Sequence, residues 1–127
     1  MPSREIFGLM GEANIFAMTR AFYAELEKSA IRDKFPQDMA EASKKLAMFL
    51  VPAFGGPPLY MQAYGPPRMR ARHIPFVIGP QDREIWLVCF NKVLDTATEQ
   101  FKFPKEHLSA FRDYLSGFSA WMVNSNE

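Results

Sequence analysis

Six of the chain's ten prolines lie between residues 52 and 75, interleaved with Gly55, Gly56 and Gly65. Proline lacks an amide hydrogen and has a fixed φ, so neither a long helix nor a central strand passes through such a stretch. Gly55-Gly56-Pro57-Pro58 therefore ends whatever helix precedes it. Residues 57–68 read as mostly loop. A short helix is expected from Pro67 to His73. Pro75 pushes Ile74 out of helical geometry and leaves His73 at the helix C-terminus.

On either side of this block the apolar periodicity is helical. Ile15, Phe16, Phe22, Tyr23 and Leu26 share one face. A second helix runs from about Asp38 to Phe54, with Met39, Ala42, Leu46, Phe49, Leu50 and Ala53 in register, and Pro52 is expected to kink or loosen its last turn. After Gly79, Pro80 opens a long helix with Asp82 and Glu84 in its first turns, where the helix dipole favours acid. Its apolar face reads Trp86, Phe90, Val93, Leu94, Ala97 and Phe101. Pro104 opens the last helix, whose stripe is Leu108, Phe111, Leu115, Phe118 and Met122. No segment alternates like a strand. The expectation is an all-α fold in a single domain, residues 1–127.

Several function classes drop out on composition. Fifteen basic and 14 acidic residues leave a net charge of +1, without the basic excess a nucleic-acid partner calls for. The early apolar run "IFGLMG" is too short for a signal peptide and no stretch is long enough to span a bilayer. Cys89, the single cysteine, excludes an internal disulfide and reads as a buried packing residue in a reducing, cytoplasmic setting. Phosphate loops, paired metal-finger ligands and a nucleophile elbow are all missing. Glu25 and Glu41 read as residues of solvated helix faces.

His73 is left, in "RARHIPFVI". It reads either as a helix-terminal histidine that meets the last carbonyls and the dipole, or as a metal ligand. Arg70 and Arg72 offer guanidinium groups beside it, and Phe76, Val77 and Ile78 an apolar wall after it. Imidazole, cation and greasy slot together are what haem requires. The second histidine, His107, is expected in the first turn of the last helix, exposed and without a role.

The stretches "FYAELEKSAIRDKFPQDM", "KKLAMFLVPAFGGPPLYMQAYGPPRMRARHIPF" and "REIWLVCFNKVLD" resemble the truncated haemoglobins of the second group, from about Ile6 to Trp121. The resemblance implies a shortened globin fold, two antiparallel helix pairs stacked around haem b. His73 matches the proximal iron ligand, its other ring nitrogen donating to a carbonyl or water. Tyr23 matches the distal tyrosine and Trp86 the family's tryptophan, both donors toward a bound ligand. Ala42 and Leu46 match distal-helix positions that line the ligand's approach. Lys45 and Arg72 match positions that reach the propionates. Phe35 matches the aromatic against the porphyrin face, and Phe49, Leu50, Met69, Phe76 and Ile78 match apolar wall positions. Departures are Gly11-Glu12 in place of a glycine pair, Pro52, and a Tyr23-to-Phe35 spacing one residue shorter than in some relatives.

The implied function is reversible binding of O2, with CO and NO as further ligands, by a monomer or homodimer. One alternative is a redox enzyme on the same haem, an NO dioxygenase or a peroxidase-like activity served by an external reductase. Another is a gas-sensing module acting with a partner in trans.

Overall fold

The computed structural model describes residues 1–126. In chain order the α-helices are α1 (Ile6–Met10), α2 (Glu12–Glu27), α3 (Met39–Ala53), α4 (Leu59–Tyr64), α5 (Met69–His73), α6 (Pro80–Leu94), α7 (Ala97–Phe101) and α8 (Leu108–Met122), with 3-10 turns at Arg32–Lys34 and Lys105–His107. No strand occurs among the described residues. The helices α2, α3, α6 and α8 form the two-over-two arrangement: α2 packs on α3 and α6, and α6 packs on α8.

Two of the long helices, α3 and α6, begin where side chains supply caps. Asp38 accepts from the Glu41 amide at 3.0 Å at the start of α3, satisfying one of the orphan donors of a first turn. Asp82 reaches back to the Gly79 amide at 2.9 Å at the start of α6, and Pro80 occupies the first helical position, where a missing N–H is harmless.

The end of α3 needs glycine. Gly55 has φ +97°, and a Cβ there would collide with the Arg4 carbonyl. The Gly56 amide then closes onto the Val51 carbonyl at 2.8 Å and the Phe7 amide onto Phe54 at 2.9 Å, which fastens the chain's first helix over the turn. Pro52 does not loosen that last turn: the helix continues through Ala53 and the Phe54 amide still reaches the Leu50 carbonyl at 2.9 Å.

Phenylalanine dominates the core. Phe22 stacks on Phe90 at 4.1 Å, Phe90 meets Phe111 edge-on at 5.7 Å, and Phe111 meets Phe54 at 5.1 Å. One line of fully buried rings thus joins α2, α6, α8 and the end of α3. Offset and edge-to-face ring pairs add to their area burial.

The structure departs from the sequence reading at several places. Within residues 57–68, read as loop, Leu59–Tyr64 form α4 with Tyr60 buried. Two prolines before its first turn cost no hydrogen bond, and six residues are too few to show a period. The expected long helix from Pro80 stops at Leu94, and α7 restarts after Asp95 and Thr96, two poor helix formers. Ala97 is still buried, so the break preserves the apolar phase and the pattern hides it. The short helix starts at Met69, with Arg68 in left-handed backbone at φ 42°. The last helix starts at Leu108, after the 3-10 turn. His107 is half-buried, not exposed, and its Nε2 pairs with Glu5 at 3.2 Å.

Candidate functional site

Helix α3 carries two apolar stripes side by side. Met39, Ser43, Ala47, Leu50 and Val51 enter the core. One residue earlier in each turn, Ala42, Leu46, Phe49 and Ala53 are only half-buried. One residue rotates the side chain by about 100°, so the second stripe lies beside the first, at the edge of the core, against which Leu46 and Phe49 still pack. Phe49 there meets Phe118 of α8 at 5.6 Å and Tyr60 of α4 at 6.5 Å. An apolar cavity of about 420 Å³ opens beside it, lined by Phe49, Ala53, Tyr60, Pro67 and Tyr114 among others. Leu50, expected on the wall, is fully buried.

Tyr23 and Trp86 both stand edge-on to Phe22, at 5.4 and 5.3 Å. Phe35 meets Tyr23 edge-on at 5.9 Å. The turn bringing Phe35 there is fastened by Arg32, whose guanidinium donates to the carbonyls of Phe35, Pro36 and Gln37 at 3.3, 3.1 and 3.2 Å. Burial pushes the Tyr23 pKa up to about 12, so its hydroxyl keeps its proton. Neither the Tyr23 hydroxyl nor the Trp86 indole N–H has a hydrogen-bond partner among the described residues. Both residues are only half-buried, so these donors are open to a ligand.

His73 is the last residue of α5, and its Nδ1 lies 2.6 Å from the Met69 carbonyl. A carbonyl only accepts, so Nδ1 carries the proton and Nε2 offers a lone pair. The chain after it is strongly apolar yet uncovered: Ile74, Phe76 and Val77 are 59%, 54% and 56% exposed, and Ile78 is half-buried. An uncovered apolar run of this kind marks a binding surface.

Lys45 and Arg72 come together over α4, which the sequence reading missed. Lys45 Nζ lies 5.2 Å above the Tyr64 ring and the Arg72 guanidinium 5.5 Å from that of Tyr60. Arg72 is engaged: it donates to the carbonyls of Pro67, Pro66 and Tyr64 at 2.6, 3.1 and 3.2 Å. Lys45 forms no ion pair among the described residues. Two further residues escaped the sequence reading. Lys34 joins the turn before Phe35 to the opposite segment, donating to the Val77 carbonyl at 2.8 Å and pairing with Asp82 at 3.0 Å. Asn124 binds the His73–Ile78 segment from beyond α8. Both act across long sequence separations, where no local pattern signals them.

No group of three or more His, Cys, Asp or Glu among the described residues could hold a metal ion. A metal ligated by His73 therefore requires a group that brings its own donors, as a porphyrin does. An imidazole with its tautomer fixed, two unpaired donors and uncovered apolar faces fit that group.

Residues 5–122 match the bacterial-like globin family. The chain belongs to that family. Within it the globin is a truncated haemoglobin of the second group, and haem is the cofactor of this family. It is 34% identical to a group 2 truncated hemoglobin of Bacillus subtilis over 87 residues, which cover 68% of the chain and 66% of the relative. A similar alignment covers 58% of a Lotus japonicus group 2 truncated hemoglobin, so the globin spans somewhat under two thirds of these relatives' length. Its fold matches the crystal structure of phosphate-bound Hell's gate globin IV with a TM-score of 0.90 and 32% identity, over 99% of this chain and 78% of that one. It matches the Bacillus anthracis group II truncated hemoglobin at 0.86 and 30%, over 100% and 94%. No helix among the described residues is long and apolar enough to cross a membrane.

Proposed function

We propose that this globin, a single domain in the cytoplasm, holds haem b through His73 and binds O2 reversibly, with CO and NO as further ligands. The observation that carries the reading is the His73 Nδ1 contact with Met69 at 2.6 Å, which leaves an unpaired Nε2 that would hold the iron. When bound, haem supplies an iron with one coordination position open to a diatomic ligand.

The protein's part follows from its side chains. The Met69 carbonyl fixes the imidazole tautomer and ring orientation. Tyr23 and Trp86 offer O–H and N–H donors to the partial negative charge that a bound diatomic acquires, and each such bond contributes about 1.5–3 kcal/mol. Ala42 leaves the approach open, while Leu46 and Phe35 bring no polar group. Phe49, Phe76, Ile78 and Met69 supply apolar wall. Lys45, with its ammonium unpaired, is the better candidate of the two bases for a propionate. Arg72 holds the loop that frames the rim. A Bacillus subtilis truncated haemoglobin of the same fold is oxygen-avid, in keeping with this reading.

Peroxide chemistry lacks a second histidine as acid and base, since His107 is bound to Glu5. The test is the optical spectrum of the purified protein, oxidised and then reduced under CO, with NO consumption measured in the presence of a reductant and a reductase. A haem spectrum that responds to CO, a long-lived O2-saturated form and slow NO consumption are expected. Rapid repeated NO turnover would make the protein an NO dioxygenase instead. A colourless protein that takes up no haem would end the proposal.

A further inference from the structure

With Ile74, Phe76 and Val77 more than half exposed, burial does not hold the segment that carries His73. Much of the holding falls to Asn124, just past the end of α8. Both ends of its carboxamide are used. Oδ1 accepts from the Ile78 amide at 2.9 Å, and Nδ2 donates to the carbonyls of Phe76 at 2.8 Å and His73 at 3.3 Å. Its backbone makes a separate tie: the Asn124 amide donates to the Ile78 carbonyl at 2.9 Å, joined by the Ser125 amide at 3.2 Å. Arg70 Nε adds a bond to the Trp121 carbonyl at 3.0 Å. The tail is therefore docked by backbone bonds that any residue at 124 would keep, and the carboxamide is free for another task.

That task lies at the end of α5. His73 is the helix's last residue, and its carbonyl, which also accepts from the Phe76 amide at 2.9 Å, has no further helical turn to hold it. Met69 restrains the imidazole from inside the helix. Asn124 restrains the His73 backbone from outside. Only a primary amide pairs one acceptor with two donor hydrogens on so short a stem.

We propose that Asn124 is the positioning residue of the proximal histidine: its carboxamide fixes the carbonyls of His73 and Phe76 and so sets the angle at which Nε2 meets the iron. The assignment rests on His73 as the iron ligand. Aspartate tests it best, because it keeps the shape and the Ile78 contact but loses both donated bonds. Asn124→Asp and Asn124→Ala, loaded with haem, are compared with the unaltered protein by the iron–histidine vibration of the reduced state and by haem loss to a scavenging apoprotein. Amide exchange at Ile78 is read on the haem-free proteins.

Both variants should shift the iron–histidine band and lose haem about tenfold faster, the equivalent of one to two net hydrogen bonds. Ile78 exchange should quicken in the alanine variant alone. Should the alanine variant misfold, the aspartate variant still decides the matter. A band and a haem-loss rate unmoved in Asn124→Asp, with the unaltered protein showing a normal band, overturn the positioning role, even if the melting temperature falls. An unaltered protein with no iron–histidine band removes His73 as the ligand and the positioning role with it.

Discussion

Tyr23 and Trp86, proposed as the distal donors, are seated among rings, while His73, the proposed iron ligand, is seated by hydrogen bonds. Phe22 and Phe90, which back the distal donors, are fully buried, and the donors' own polar atoms are left unpaired. The proximal segment inverts this pattern. Its apolar side chains are exposed, its backbone is tied by Asn124 and Lys34, and the arginines before it, Arg70 and Arg72, anchor their guanidinium groups on carbonyls of Trp121 and of Tyr64. A ligand-sensing wall gains from packing, since rings hold a donor in place without taking its hydrogen bond. The segment proposed to receive a large apolar group has its greasy face uncovered, and polar ties are what remain to hold it.

The comparison can be broken most decisively at His73. His73→Ala should abolish the native haem spectrum while circular dichroism shows the helices intact, because no buried contact is lost; a spectrum that persisted would show that another side chain ligates the iron. Next come two truncations of equal size. Phe22→Ala leaves a cavity among Tyr23, Trp86 and Phe90 and should cost about 3–5 kcal/mol in denaturant unfolding. Phe76→Ala, at a residue 54% exposed, should cost no more than about 0.5 kcal/mol in the haem-free protein. Equal losses would mean that the walls are not held differently.

Trp86→Phe keeps most of the packing and removes one donor. By stopped flow it should release O2 about 10- to 100-fold faster, and an unchanged rate would take the indole out of the distal set.

The smallest effects are those of pH, and they should divide by wall. Burial raises the Tyr23 pKa from 10.0 to about 12. Its contribution is whole below pH 10 and is lost as the pH rises toward 12, so Tyr23→Phe should blunt alkaline destabilisation. For Asp82, burial pushes the pKa up, but the Gly79 amide and the Lys34 ammonium together outweigh it and leave the value below the ordinary 3.8. Its contribution is whole above that value and is lost as acid carries the pH down through the lowered one. Asp82→Asn should flatten the stability profile on the acid side alone. Urea midpoints across both ranges check the pair; loss at the same end in both variants would contradict the division.

Much of this was legible in the chain. The stripes of α2, α3, α6 and α8 follow from periodicity, because a helix packed on one side must repeat its apolar residues on one face. Pro80 and Asp82 announce the start of α6, and Gly55-Gly56 the end of α3, because backbone sterics are local. His73 stood out through its neighbours, and motif resemblance named its partners. Less legible were α4, too short to show a period, and the break before α7, which keeps phase. The distinction between Leu50 in the core and Phe49 on the adjacent stripe also escaped, since both are apolar and differ only by a turn of about 100°.

The sequence by itself determined an all-α fold and the four long helices, and singled out the histidine proposed as the iron ligand, because each is encoded within a few turns of chain. Tertiary structure alone decided which of α3's two stripes is only half-buried, and that Asn124 and Lys34 brace the segment after His73. Those outcomes depend on groups more than 40 residues apart in sequence or on the rotation of a helix against its neighbours. Hydrogen bonds of that kind are directional and form only once packing has placed both partners, so no local pattern records them.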